Sequence, residues 1–216
     1  MKDKTQARAT MVEQQIAARG VRSKPVLDAM RRVPREVFVP EHLRELAYND
    51  APLSIGEGQT ISQPYVVALM VEALDLNGGE KVLEIGTGSG YAAAVLAEIA
   101  ARVYTIERID PLAQKARTTL SENGYDNVQV IQGDGTLGWS DQAPYDAIVV
   151  TAGGPQVPES LKHQLKTGGR LVIPVGRDMH NQELIRVTRV SQSEFRTEDL
   201  EYVRFVPLIG EQGWKA

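Results

Sequence analysis

An α/β fold, a doubly wound and mostly parallel sheet with helices on both faces, is predicted by three observations. From residue 81 onward, short apolar runs alternate with helix-length segments joined by brief connections. The run Val82-Leu83-Glu84-Ile85 passes straight into Gly86-Thr87-Gly88-Ser89-Gly90 and the alanine-rich segment after Tyr91, which reads as strand, tight loop and helix. The run Ala147-Ile148-Val149-Val150 has no polar alternation, as a central strand covered on both faces requires.

The elements follow in order. Met11, Val12, Gln15 and Ile16 lie at helical spacing within residues 5–18, and Gly20 stops that helix. A second helix starts with Pro25 in its first turn and ends before Pro34. Residues 33–58 hold several prolines and glycines, so short helical pieces and ordered loop are expected. A helix from Pro64 is entered through Thr60-Ile61-Ser62-Gln63 and closed by Asn77-Gly78-Gly79. Strands are predicted over 81–85, 102–107, 128–131, 145–151 and 170–175, with helices over 91–100 and from Asp110-Pro111 to Asn123-Gly124. A short helix after Pro158 is expected to stop at Gly168-Gly169. Residues 183–190 and 200–206 have no helix between them, so the sheet should end in antiparallel C-terminal strands.

The 216 residues, 42% hydrophobic, suit a single domain spanning 1–216, with an N-terminal helical extension over 1–80 and the cofactor-binding sheet over 81–216. A net charge of −4 argues against a nucleic-acid partner. The absence of cysteine removes disulfides, thiolate metal sites and cysteine nucleophiles. His42, His163 and His180 show no ligand spacing, so no metal is expected. The N-terminus has no apolar signal region and no apolar run reaches membrane-spanning length. A cytoplasmic monomer without membrane contact is expected.

The glycine loop lets backbone N–H groups approach a nucleotide-like ligand. A dinucleotide fingerprint wants glycine or alanine at the sixth position of G-x-G-x-x-G, where this chain has Tyr91. With the third glycine at position five and Glu84 two residues before the first, the stretch resembles motif I of the S-adenosylmethionine (SAM)-dependent methyltransferases. Glu107, ending the next strand, is placed to accept both ribose hydroxyls; the alternative is a solvated acid paired with Arg108 or Lys115. Asp134, between Gly133 and Gly135, could accept an adenine amine or simply make a turn. Thr151-Ala152-Gly153-Gly154 leaves room for the reacting end of a cofactor.

The run Gly58-Gln59-Thr60-Ile61-Ser62-Gln63-Pro64-Tyr65, with Val82 to Tyr91, Gly133-Asp134-Gly135, Ala143-Pro144-Tyr145-Asp146 and Val203 to Leu208, resembles the protein-L-isoaspartate O-methyltransferases. Val33 to Pro40 and Ala47-Tyr48-Asn49-Asp50 are similar too. The resemblance implies methyl transfer from SAM, leaving S-adenosyl-L-homocysteine, to the free α-carboxylate of isoaspartyl residues in damaged proteins and peptides. It implies that Glu84, Gly86, Thr87, Gly88, Ser89, Gly90, Glu107, Asp134 and Gly135 hold the cofactor. It marks Ser62 as the catalytic residue, and Thr60, Ile61, Ser62, Val206, Pro207 and Leu208 as substrate-binding. Ser62 also reads as a helix N-cap, and Val206 to Leu208 as an edge strand ended by proline. A small-molecule or tRNA methyltransferase, a non-catalytic SAM-binding module and an NAD-dependent oxidoreductase are the competing functions.

Overall fold

The computed structural model describes residues 4–179 and 181–215, so His180 lies outside the described residues. Its centre is a seven-stranded sheet in the order β5-β4-β3-β6-β7-β8-β9. Strands β3 (Lys81–Ile85), β4 (Arg102–Glu107), β5 (Val128–Gln132), β6 (Tyr145–Val150) and β7 (Leu165–Val175) run parallel to one another. Strands β8 (Gln182–Arg189) and β9 (Phe195–Val203) close the sheet in antiparallel fashion. The apolar run of β6 does occupy the sheet centre.

Side chains alternate between two cores, as the strand period of two demands. Val82, Val103, Ala147, Val149 and Val172 face the larger core, where the N-terminal helices, α3 (Pro64–Ala73), α4 (Tyr91–Ala97) and α5 (Asp110–Glu122) pack. Leu83, Ile85, Ile106, Ile148, Val150 and Leu171 face the other. That second face is covered more thinly, by α6 (Glu159–His163), Trp139 and the C-terminal tail through Leu208.

The lead-in departs from a plain helix. After α1 (Thr5–Thr10), residues Met11–Ile16 form a wider π turn and Ala17–Arg19 a 3₁₀ turn, ended by Gly20 at φ +108°. Met11 and Ile16 are five residues apart and both fully buried. The wider turn brings them onto one face, which an ideal α-helix would not. Helix α2 (Lys24–Arg32) follows with proline in its first turn, as expected.

Three further differences have local causes. Residues 53–61 form a hairpin of β1 (Leu53–Gly56) and β2 (Gln59–Ile61), turned through Glu57 and Gly58, both at positive φ. Those are the angles of a two-residue hairpin turn, but glutamate is an unusual occupant and the strands are too short to show alternation. Gly168-Gly169 do not stop a helix. Helix α6 ends at His163, β7 starts at Leu165, and the glycines sit where its register with β6 shifts. Strand β9 begins at Phe195 and ends at Val203, so residues 204–208 leave the sheet edge and cross its C-terminal end.

Candidate active site

Strand order reverses between β3, which leads to β4 and β5, and β6, which leads to β7. In open α/β sheets the crevice outside the strand ends at such a switch point is where ligands bind. A cavity of about 910 Å³, its mouth included, lies there. Ile85 and Gly86 from the end of β3, Ile106 and Glu107 from β4, and Thr151 and Ala152 after β6 form its floor.

The glycine loop is shaped by its own backbone and by its neighbours. Gly86 at φ +96° donates to Ile106 O at 2.8 Å, and a Cβ there would meet Thr151 Oγ1 at 2.5 Å. Gly88 at φ +53° donates to Glu107 Oε2 at 2.9 Å. Thr87 and Ser89 line the cavity with them. Gly90 has a different task. It starts α4 at φ +91°, and a Cβ would lie 3.2 Å from Leu120, so it serves the turn and the packing of α5 and does not line the cavity.

Glu107 is only 7% exposed and has no ion pair among the described residues, which removes the reading of a solvated acid paired with Arg108 or Lys115. Its Oε1 accepts the Ile109 N–H at 2.9 Å and its Oε2 the Gly88 N–H. A carboxylate offers about four acceptor positions, so each oxygen keeps one for a hydroxyl pair from the cavity. The positive-φ glycines, the close backbone and this acid fit a nucleoside with a free ribose diol.

Glu84 does not line the cavity. It shares the face of Val82 on β3, is fully buried, and accepts from the Thr105 hydroxyl through Oε2; Thr105 and Thr87 hydroxyls lie 2.6 Å apart. Its Oε1 is buried with no hydrogen-bond partner among the described residues. Burial pushes its pKa up to about 8, the Thr105 bond opposes this and the nearby Glu107 adds to it. The carboxyl is therefore largely neutral at pH 7 and reaches the loop only through Thr105 and Thr87.

Asp134 is not among the residues lining the cavity, although its neighbour Gly135 is. Its Oδ1 accepts from Thr136 N at 2.9 Å and Thr136 Oγ1 at 2.7 Å, capping the turn Gly135–Leu137, and its Oδ2 accepts from Glu211 N at 2.7 Å. Burial alone would raise its pKa, but these donors outweigh burial and hold it below the usual carboxylate range. Gly135 itself lines the cavity, and a Cβ there would strike Ile85 Cγ2 at 2.4 Å.

The opposite wall comes from Thr60, Ile61 and Ser62, and from Val206, Pro207 and Leu208. Ser62 is not the N-cap of α3. That position is Gln63, with no side-chain cap bond, and Asp50 Oδ1 instead accepts the Tyr65 N–H at 3.4 Å. Val206 to Leu208 pair inward with the chain itself, Gly153 N donating to Val206 O at 2.8 Å and Leu208 N to Gly153 O at 2.9 Å. This corrects the edge-strand reading. A Cβ on Gly153 would lie 2.3 Å from Gln182 Nε2, so its smallness makes room for the Gln182 side chain, and Gly153 does not line the cavity as Thr151 and Ala152 do.

A second cavity shares Thr60, Ser62, Thr151 and Val206 with the first and continues past Arg19, Tyr65 and Arg204. Ser62 thus stands at the junction. Neither His42 nor His163 lines either cavity, and no metal-holding cluster of His, Asp or Glu occurs among the described residues. Sequence reasoning missed Thr105, Ile109 and the bonding role of Asp50. Thr105 alone carried a signal, standing two residues before Glu107 on the same strand and therefore on the same face.

A family model described as protein-L-isoaspartate(D-aspartate) O-methyltransferase matches residues 6–213. The protein-L-isoaspartate O-methyltransferase 1 of Rhodopseudomonas palustris strain HaA2 is 66% identical over 207 residues, covering 96% of this chain and 84% of that one. The protein-L-isoaspartate O-methyltransferase 2 of Pelobacter propionicus is 59% identical, covering 96% and 92%. A solved protein-L-isoaspartate O-methyltransferase superposes with TM-score 0.86 at 30% identity, over 95% of this chain and 67% of that one. A Plasmodium falciparum chain solved with S-adenosyl-L-homocysteine has TM-score 0.81 over 94% of this chain and 98% of its own, and at 24% identity it shows the shared fold. With a family match across nearly its whole length and relatives well over half identical, the chain belongs to the protein-L-isoaspartate(D-aspartate) O-methyltransferase family.

Proposed function

We propose that this enzyme transfers a methyl group from SAM to the free α-carboxylate of L-isoaspartyl residues in damaged proteins and peptides, the step that initiates their repair. The observation that carries the reading is the junction at Ser62, where the cavity built on Glu107 and the glycine loop adjoins a second cavity. When bound, SAM supplies an electrophilic methyl group on a sulfonium centre and leaves as S-adenosyl-L-homocysteine once a carboxylate oxygen has taken that methyl as an ester.

The chain's own task is positioning. A substrate carboxylate is already ionised at neutral pH, so no residue has to remove a proton. Glu107 holds the ribose diol, and Gly86 to Ser89 offer backbone approach along the cofactor. Ser62 orients the carboxylate by donating its hydroxyl. The helix end behind it has few donors to add, because Pro64 has no N–H and that of Tyr65 is bonded to Asp50, which leaves Val66 in the first turn. Val206, Pro207 and Leu208 shield the junction from water, and a dry, aligned site is what a displacement at carbon needs. Because Val206 O and Leu208 N are already paired to Gly153 and Pro207 has no N–H, this segment supports a peptide through side-chain contact, the Val206 N–H and the Pro207 carbonyl.

The working unit of this proposal is a monomer. The net charge of −4 supports protein over nucleic acid as substrate. Among the described residues no helix is long and apolar enough to cross a membrane, and we place the enzyme in the cytoplasm. The test is methyl-labelled SAM offered with two peptides that differ only in an aspartyl or L-isoaspartyl linkage. Base-labile label on the isoaspartyl peptide alone is expected; equal labelling of both, or of neither, refutes the assignment.

A further inference from the structure

We propose that Asp50 is a positioning residue for methyl transfer, clamping the Ser62 turn by gathering three donors from two separate segments onto one carboxylate. The proposal rests on the functional reading above. Asp50 Oδ2 accepts from Gln63 Nε2 at 2.7 Å and from Arg19 Nη1 at 2.7 Å, while Oδ1 accepts the Tyr65 N–H. Those donors come from the end of the N-terminal helical segment and from both sides of the start of α3. Ser62 lies between Gln63 and Ile61, and Ile61 is itself fixed by burial and by pairing with Leu53 in the β1–β2 hairpin. The turn is therefore held from one side by the hairpin and from the other by Asp50.

Asp50 is in turn held in place. Ala51 N donates to Asn49 O at 2.8 Å, and the buried Arg35 donates to Ala47 O at 2.7 Å and Ala51 O at 3.4 Å, fixing the chain on both sides of Asp50. Arg19 is stacked with its guanidinium 3.4 Å from the centre of the Tyr65 ring, so its geometry is fixed too. A carboxylate this close to a site for a substrate carboxylate would repel it if left alone. The Arg19 ion pair at 2.7 Å offsets that charge, and Arg19, Gln63 and Tyr65 then present a settled wall to the second cavity. Arg19, Asp50, Gln63 and Tyr65 do not themselves line the cofactor cavity. The effect of Asp50 should fall on turnover and leave cofactor affinity alone.

The test compares Asp50→Ala with Asp50→Asn, whose amide oxygen can still accept from Gln63 or Tyr65. Turnover of an isoaspartyl peptide, affinity for S-adenosyl-L-homocysteine by calorimetry, and thermal midpoints are measured on each. Asp50→Ala should lower kcat by about tenfold or more, with cofactor affinity within about twofold, and Asp50→Asn should recover most of the loss. Gln63→Glu, which sets a like charge against Asp50, covers the case in which Asp50→Ala does not fold, and should lower kcat in the same selective way. Unchanged kcat in Asp50→Ala, equal loss in the alanine and asparagine variants, or loss of cofactor affinity in parallel overturns the clamp while leaving the substrate reading intact. Absence of turnover in the wild type overturns both.

Discussion

Glu84→Gln is the perturbation with the most specific signature. The wild-type carboxyl is fully buried with one oxygen unpartnered among the described residues, and its pKa is raised from an ordinary 4.5 to about 8, chiefly by burial. Below pH 4.5 both folded and unfolded chains hold the proton, and stability is indifferent to this group. Between 4.5 and 8 the unfolded chain releases the proton while the native one keeps it, so stability falls as pH rises; above 8 the loss is complete. At 1.36 kcal/mol per unit of pKa difference the full effect is about 5 kcal/mol, of which roughly 3–4 kcal/mol accrues between pH 5 and pH 8. Glutamine keeps an acceptor for Thr105 and buries an amide where Oε1 sits, a penalty independent of pH. The comparison must therefore be made across pH, not at one value. Urea unfolding of wild type and variant at pH 5, 6, 7 and 8, with equal slopes required, gives the difference directly. The variant should gain on the wild type by roughly 3 kcal/mol over that range. Parallel curves would mean that Glu84 is ionised in the native protein, and that the buried position does not govern its charge.

The cofactor wall offers three further outcomes. Glu107→Gln turns an acceptor into a donor beside the Gly88 or Ile109 N–H and weakens the diol contact, so affinity for S-adenosyl-L-homocysteine by calorimetry should fall about 10- to 100-fold. Ser62→Ala should reduce kcat on an isoaspartyl peptide by about tenfold and leave cofactor affinity unchanged, as steady-state kinetics with the same calorimetry will show. Gly86→Ala and Gly79→Ala share a φ near +95°, worth about 1–2 kcal/mol each in thermal unfolding. Only the former meets a neighbour, at Thr151, whereas Gly79 has none within 4 Å, so only Gly86→Ala should also abolish cofactor binding.

How much could be read from the chain depended on how local each feature was. The limits of β3 and β4, Lys81–Ile85 and Arg102–Glu107, match the sequence reading, because apolar runs bounded by glycine or a strand-end acid are local signals. The β1–β2 hairpin has strands of only four and three residues, too short for a period of two to register. The β7 bulge is a property of its pairing with β6, which no single segment reveals. Acidic residues at strand ends could be located but not oriented. Strand parity puts Glu84 on the core side with Val82, whereas Asp134 is turned by Glu211, a donor 77 residues away. Ser62 could be placed before a helix, but not told from its cap, since the actual cap donor goes to Asp50 from another loop.

Methyl transfer here requires one ligand on Glu107 and the glycine loop and the other on the Ser62 turn, meeting where the two cavities join. A crystal structure with S-adenosyl-L-homocysteine and an L-isoaspartyl peptide bound together tests this arrangement most directly. Both ribose hydroxyls should sit on Glu107, and the free α-carboxylate should lie within hydrogen-bond distance of the Ser62 hydroxyl, facing the cofactor sulfur. A ribose that bypasses Glu107, or a carboxylate seated away from Ser62, contradicts it.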